Sequence, residues 1–422
     1  MNALNHSAYS SSTVISGPWN SLPAAAAQAE PVEIAAPVEP VKLPPATAMV
    51  ERAALTKAFD VVKRTVEARS CIPVLSNAKL AAVDGALVVS GTNLEMEIRA
   101  TVPGAIDAHF AMTADCRLVE SFLKKAAACD LVGFSMREES ALIEFEKVKY
   151  NVLTIDAADY PELAPVEFSH RFPMPGKALW DMIDGVCNAI SKEETRYYLN
   201  GIFCHVYQNG NRHEFRMVAT DGHRLQRQEI EAHDGALGMP GVIMPRAMCD
   251  LLWSLIKGKA CPDMVEIAVH DTRISVKFDN IEIVSKTIDG SFPDYMRVIP
   301  TGNTKAMEFK RADMVEALNS VALVSSEKGR AVRFNIANGK CVLTVSNPDS
   351  GSAESTIDCQ WTERADLERE SLEVGVNYAY LLGALADAGG DRVTMLFNDA
   401  GSPMLINSER EGWMAVLMPM RV

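Results

Sequence analysis

Apolar residues recur along this chain in two rhythms. From Thr56 to Ala68, the residues Ala58, Val61, Val62, Thr65 and Val66 fall on one stripe at helical spacing, which predicts an amphipathic helix. Gly176–Ile190 and Arg311–Val324 predict two more helices of this kind, and Asp115–Ala128, Arg246–Lys257 and Tyr378–Ala388 a second set. Asn377 suits the N-cap of the last helix, Gly389-Gly390 its end, and Pro245 the first turn of the helix before Trp253. Between the helices, short runs alternate apolar and polar residues, as half-buried antiparallel strands do: Ala86–Ser90, Glu214–Ala219, Glu266–Val269, Arg273–Phe278 and Lys340–Val345.

The rhythm repeats. Thr154-Ile155-Asp156 followed by Tyr160-Pro161-Glu162 is echoed by Thr287-Ile288-Asp289 followed by Phe292-Pro293-Asp294. An apolar strand ends in Thr92-Asn93, again in Thr220-Asp221 and again in Ser346-Asn347. Three tandem units of roughly 127 residues account for both echoes. Each unit is predicted to be an α+β domain, with two helices packed on antiparallel sheets of about eight strands. The expected boundaries are 48–166, 167–300 and 301–422, after a tail over 1–47. From Ser21 to Thr47 that tail is Ala-, Pro- and Glu-rich with almost no large apolar group, a composition that predicts disorder. No Lys or Arg precedes Lys42, so the basic start of a targeting peptide is missing.

Charge narrows the function classes. A net charge of −14 over 422 residues argues against unaided nucleic-acid binding but leaves room for a local basic surface. Basic groups do cluster on the helices: Lys57, Lys63, Arg64 and Arg69 on the first, Lys124 and Lys125 ending the second, and Lys328, Arg330 and Arg333 after the fifth. These are either solvated faces or one shared basic surface. Nine cysteines without a C-x-x-C pair read as buried thiols rather than disulfides or zinc ligands. No apolar run reaches the ~18 residues of a membrane span.

The run Ala219–Leu225 carries the sharpest chemical signal. Asp221, His223 and Arg224 resemble catalytic or metal-binding groups, which leaves a metal-dependent phosphoesterase as an alternative. Such a site needs three or four converging ligands, and the eight histidines show no ligand-like spacing. Phosphate-loop, dinucleotide and nucleophile-elbow motifs are missing too. Asp221-Gly222 is a turn dipeptide in its own right, and its counterparts are Asn93-Leu94 and Asn347-Pro348, so the acidic or amide residue recurs without the histidine. Arg196–Gly201 reads equally as an interface patch or the start of a strand, and Met418–Val422 as a docked surface or core packing.

Taken together, Ala219–Leu225, Arg196–Gly201, Phe292–Tyr295 with Arg297–Pro300, Met418–Arg421, Cys71–Asn77, Gly91–Glu97 and Ser326–Lys328 with Arg330 and Arg333 resemble signature segments of the bacterial DNA polymerase III β subunit, the sliding clamp family. The likeness spans about Val50 to Val422. It implies the DNA clamp fold and a head-to-tail dimeric ring that encircles duplex DNA without sequence specificity. It implies a cytoplasmic, nucleoid-associated processivity factor with no catalytic residues, no metal and no cofactor, and no membrane association. The partners implied are double-stranded DNA, the polymerase III catalytic subunit, a clamp loader and other proteins with clamp-binding motifs. A partner-peptide cleft is implied at Tyr198, Leu199, Thr220, Gly222, His223, Arg224, Leu225, Pro293, Arg297, Val298, Asn377, Tyr380, Met404, Val416, Leu417, Met418, Pro419, Met420 and Arg421. DNA-facing groups carried over are Lys63, Arg64, Arg69, Arg117, Lys124, Lys125, Lys192, Arg196, Tyr197, Arg246, Lys328 and Arg330, and the dimer contact is Tyr150 with Leu323 and Val324. Departures from the family pattern are Met296, Gln226, the pair Glu193-Glu194 and the long tail. They raise the alternative of a divergent copy specialised for repair, phage or plasmid replication, or inhibitor resistance.

Overall fold

The computed structural model describes residues 47–67, 70–137, 140–325, 330–362 and 371–421. The predicted tail therefore lies outside the described residues except for Thr47. Its amide already donates to the Phe134 carbonyl at 2.7 Å, so Thr47 belongs to the first sheet.

Six α-helices form among the described residues: α1 (Arg52–Val62), α2 (Cys116–Lys125), α3 (Gly176–Asp184), α4 (Arg246–Leu255), α5 (Arg311–Ala322) and α6 (Tyr378–Ala388). They pair as α1 with α2, α3 with α4, and α5 with α6, which is the predicted two per repeat. The expected first helix is displaced. It starts earlier, at Arg52, and buries Leu55, Ala58, Phe59 and Val62, while Thr65 and Val66 are buried beyond its end. The Phe59 ring sets that stripe, and the Val61–Val66 spacing hid it. Asp115 caps α2, accepting from the Leu118 amide at 2.7 Å, and Lys124 and Lys125 sit in its last turn, where the helix dipole favours cations. Asn377 caps α6 as expected, and Gly389 and Gly390 follow it at φ +63° and +67°.

The sheets do not respect the repeats. Strand Met96–Ile106 of the first unit pairs antiparallel with Ile281–Lys286 of the second, Ile98 opposite Ile283. Strand Arg224–Glu231 of the second pairs with Trp413–Leu417 of the third, Gln226 opposite Ala415. One twelve-stranded sheet thus runs through the first two units and a nine-stranded sheet links the second to the third. The cores follow suit. One apolar cluster spans the first two units, a second fills the third, and a small one (Val218, Leu225, Tyr295, Met414, Val416) lies at the second joint.

Both joints use the strand that follows the repeated Thr-Asn or Thr-Asp turn, and the first takes its other half from the strand that precedes the Thr-Ile-Asp echo. The corresponding strands of the third and first units, Gly351–Asp358 after Ser346-Asn347 and Lys149–Leu153 before Thr154, are each paired on one side only among the described residues. No helix among the described residues is long and apolar enough to cross a membrane.

The second joint buries polar groups as well. Trp413 Nε1 donates to the Gly185 carbonyl at 2.8 Å, and Arg410 donates to the carbonyls of Asp387 and Asp181. The Asp387 carboxylate, 4% exposed, accepts from Asn188 Nδ2 at 2.7 Å and Gln226 Nε2 at 2.9 Å, while Gln226 Oε1 is buried without a partner. Burial drives Asp387 up from 3.8 to about 7, against these two amide donors. With the folded value above the unfolded one, its contribution to stability is complete below pH 3.8 and lost as the pH climbs through about 7. Asp387→Asn removes the ionisation while keeping the shape, and a turned Gln226 amide then offers its oxygen as acceptor. We expect the variant to melt above the parent at pH 8 and close to it at pH 4–5 in thermal unfolding. A variant melting well below the parent at both values would contradict this account.

Candidate functional site

The middle copy of the repeated turn starts the second joint. Thr220 Oγ1 donates to the Arg224 carbonyl at 2.6 Å, and Asp221 Oδ1 accepts from the His223 and Arg224 amides at 2.9 and 3.1 Å. The first copy is built alike: Thr92 Oγ1 donates to the Met96 carbonyl, and Asn93 Oδ1 accepts from the Glu95 and Met96 amides. In the third, Asn347 Oδ1 accepts from the Asp349 amide. Asp221 is therefore an Asx-turn acceptor, and Oδ2 holds Arg224 Nε at 3.1 Å. In the middle and first copies the third position has a positive φ, Gly222 at +88° and Leu94 at +72°, whereas the third copy has Pro348 there. A Cβ on Gly222 would stand 2.6 Å from Arg196 Nη1, so glycine also leaves room for a neighbour.

That neighbour closes a cleft of about 330 Å³. Of the residues expected there, Tyr198, Leu199, Thr220, Gly222, His223, Arg224, Leu225, Pro293, Val298, Val416 and Met418 line it, joined by Arg196, Asp294 and Tyr295. Leu199, Leu225, Tyr295 and Val416 are buried within it, whereas Val298 and Met418 are exposed at its rim. Arg224 lies over the Tyr380 ring at 4.6 Å and donates to the Asn188 carbonyl, and the His223 ring stacks against the same Tyr380 with centroids 6.2 Å apart. The C-terminal segment crosses between domains: the Met418 amide donates to the His223 carbonyl at 2.9 Å and the Met420 amide to Gly375 at 2.8 Å.

The other expected cleft residues sit elsewhere. Met404 and Leu417 are core residues of the third unit, 0% and 1% exposed and paired with one another. Asn377 spends its oxygen capping α6, and Tyr380 reaches the cleft only through His223 and Arg224. Arg297 points outward, paired to Asp294 at 2.8 Å. Pro419, Met420 and Arg421 continue past the rim and do not line it. Arg196, expected to face DNA, is in the cleft wall and pairs with Glu193 at 2.7 Å. Tyr295 and Asp294 were missed although the Phe292–Tyr295 motif contains them. A tyrosine next to a Pro-Asp turn was the available signal.

The remaining basic groups fall into two sets. Lys63 pairs with Asp60 (2.8 Å) and Glu120 (2.5 Å), Lys124 with the same Glu120, and Arg246 is half-buried on the Ile190 carbonyl. Arg64 is exposed and reaches Ser254 Oγ of the next unit at 2.6 Å, and Arg117, Lys125, Lys192 and Tyr197 are exposed. The Arg330 carbonyl receives the Tyr378 amide. Arg69 and Lys328 lie outside the described residues. Of the expected dimer residues, Tyr150 stacks on Phe122 at 3.7 Å, Leu323 is 86% exposed, and the Val324 carbonyl accepts from Asn347.

A wider recess of about 1040 Å³ opens at the opposite end of the joint, where Asp181, Asp184, Glu214, Glu229, Glu231, Glu409 and Glu411 outnumber Arg212 and Arg410. Beside the cleft, Asp221 is consumed by backbone and by Arg224 and is not free to orient His223 as a base. Three metal-ligating side chains converge nowhere among the described residues. The cleft is built to hold apolar side chains between a few fixed polar groups.

Comparisons with known proteins identify the family. Residues 47–164, 173–294 and 296–421 match the family models of the N-terminal, central and C-terminal domains of the DNA polymerase III beta subunit. The beta sliding clamp of Caulobacter vibrioides (strain NA1000 / CB15N) is 35% identical over 376 residues, covering 88% of this chain and 99% of that protein. The crystal structure of a sliding clamp from Bartonella birtlesii bound to griselimycin superposes with a TM-score of 0.82 at 35% identity, covering 89% of this chain and all of the other. A clamp structure from Pseudomonas aeruginosa gives 0.81 at 29%, covering 89% and 99%.

Asp221→Ala removes two backbone acceptor bonds and an ion pair, and we expect it to lower stability by about 1–2 kcal/mol in denaturant unfolding. Asp221→Asn keeps Oδ1 and costs less. Equal losses for the two would mean that the carboxylate charge, rather than the turn, is what matters.

Proposed function

This chain belongs to the bacterial DNA polymerase III β subunit family, and we propose on that premise that two copies close head to tail into a ring around duplex DNA, with the cleft at the second joint as the docking site for partner peptides. Its function is that of a sliding clamp, a processivity factor of DNA polymerase III without catalysis of its own. The observation that carries the ring is the pair of one-sided strands. Two of three equivalent joints are made within the chain, and the halves of the third, Gly351–Asp358 in the third unit and Lys149–Leu153 in the first, each keep one edge without a partner strand among the described residues. An exposed strand edge is a template for another chain. Leu153 (84% exposed) and Leu323 (86%) are the apolar groups such a joint would cover.

In that ring helix α2 supplies Arg117 and Lys125, and the segments after α1 and α3 supply Arg64 and Lys192, toward DNA phosphates, as contacts that hold position without reading bases. Ion pairs such as Lys63–Glu120 temper the attraction. Weak, screened contacts suit an enclosing ring, because topology rather than affinity prevents escape and tight binding would oppose sliding. The cleft would take two large apolar side chains of a partner, worth roughly 3–6 kcal/mol before ordering costs, which suits exchange among the polymerase, a clamp loader and other clients. Its site of action is the cytoplasm, on the nucleoid.

With polymerase and loader on primed circular DNA, addition of this protein is expected to lengthen products per binding event; unchanged lengths would refute the assignment. Sedimentation should give a dimer, and Leu153→Asp or Leu323→Asp a monomer; if both variants stay dimeric, the third joint lies elsewhere. Deleting residues 418–422 should abolish partner-peptide binding and spare the dimer, while undiminished peptide affinity would remove the C-terminal segment from the site.

A further inference from the structure

The connector between the second and third units forms one wall of the cleft through Pro293, Asp294, Tyr295 and Val298. Its only regular structure is the single turn Tyr295–Val298, which no side chain caps. Something else must hold that wall in place. Tyr295 is 5% exposed, and its hydroxyl receives Arg216 Nη1 at 3.2 Å and shares a hydrogen bond with His205 Nε2 at 3.1 Å. The same Nη1 lies 3.5 Å from Met296 Sδ, so one guanidinium nitrogen reaches two consecutive residues of the turn.

Arg216 is well suited to this. It is 3% exposed on a central strand, Arg212–Thr220, of the middle sheet. Its Nη2 and Nε both donate to Glu214 Oε2, at 2.6 and 3.2 Å, Glu229 Oε2 stands 2.8 Å from Nε as a counter-charge rather than a hydrogen-bond acceptor, and the guanidinium plane covers the Tyr207 ring at 3.8 Å. A buried guanidinium persists only when its donors are met, and here the planar fork is held by carboxylates from its own and the adjacent strand. The sheet thus fixes the arginine, and the arginine fixes the turn. Lysine offers the charge without the fork. Burial keeps His205 down at about 4, so that ring is neutral near pH 7 and adds one hydrogen bond rather than a second charge.

We propose that Arg216, with Glu214 and Glu229 as its counter-charges, is a positioning residue of the peptide cleft: it holds Tyr295 and Met296 and so presets the wall that a partner peptide meets. The proposal rests on the cleft reading above. A wall already in place spares the peptide the cost of ordering it, and the benefit should appear mainly in how slowly the peptide leaves.

The test uses the full-length chain, its Tyr295→Phe and Arg216→Lys variants and the double variant. The probe is a fluorescent peptide carrying the clamp-binding segment of the polymerase catalytic subunit. Anisotropy and stopped-flow should show binding weakened about 3- to 10-fold in each single variant, mostly through faster dissociation, with the dimer intact. The double variant should be little worse than the weaker single one, because both cut the same link. Hydrogen exchange of the 292–299 amides should quicken in the peptide-free variants and slow again on peptide binding, a local signature that general destabilisation does not produce. Affinities within twofold of the parent, additive losses, or unchanged exchange at 292–299 would each overturn the proposal. Tyr295→Phe removes a single oxygen and carries the test alone if Arg216→Lys does not fold. A parent chain that binds no peptide would take the cleft reading down as well, whereas a binding parent with indifferent variants sinks this inference only.

Discussion

Backbone hydrogen bonding at sheet edges is the constraint on which this molecule depends. Every repeat starts one strand after a Thr-Asn, Thr-Asp or Ser-Asn turn and places another near its own C-terminal end. Neither can leave its amides and carbonyls unpaired without inviting an outside strand. The chain answers by pairing such strands across repeats, so its sheets run through domain boundaries and its cores merge or abut there. Among the described residues, one edge of Lys149–Leu153 in the first unit and one of Gly351–Asp358 in the third carry no partner strand.

The cleft is a by-product of the same construction. A joint strand must begin somewhere, and the turn that begins the second one lifts His223 and Arg224 above the sheet beside the incoming C-terminal strand. Gly222 keeps the space over that turn open, and Arg196 enters it. Residues whose first duty is architectural, such as Asp221 and Leu225, become the frame of the cleft without changing what they do. The guanidinium of Arg216 extends the frame to the connector.

Much of this was legible in the sequence because repetition converts weak local signals into strong ones. Thr92-Asn93 alone is a turn among many, but three such turns in register exposed the domain count and the architectural role of Asp221. Most of the cleft followed from family resemblance, and eleven of its residues do share one cavity. The misses have physical causes. Met404 and Leu417 lie next to the cleft in the strand order yet face the opposite way, a distinction of one residue in a two-residue period. Arg196 sits in a segment rich in charge whose direction is set by Glu193 and the bare face of Gly222, which no local pattern encodes. The anchoring of Tyr295 depends on an arginine that is distant in sequence, so only the packed sheet reveals it. Gln226, a departure from the family pattern, is matched across the joint by buried Asp387.

The second joint has unlike ends: a small, largely apolar cleft where the ladder starts and a wide acidic recess where it stops. Strand direction determines which is which. If two copies close head to tail through the third joint, their second joints run the same way and the ring has a front and a back. Both clefts would open on one side and both acidic recesses on the other. Such an object carries orientation, and a client that grips the front inherits a fixed sense of travel along whatever threads the middle.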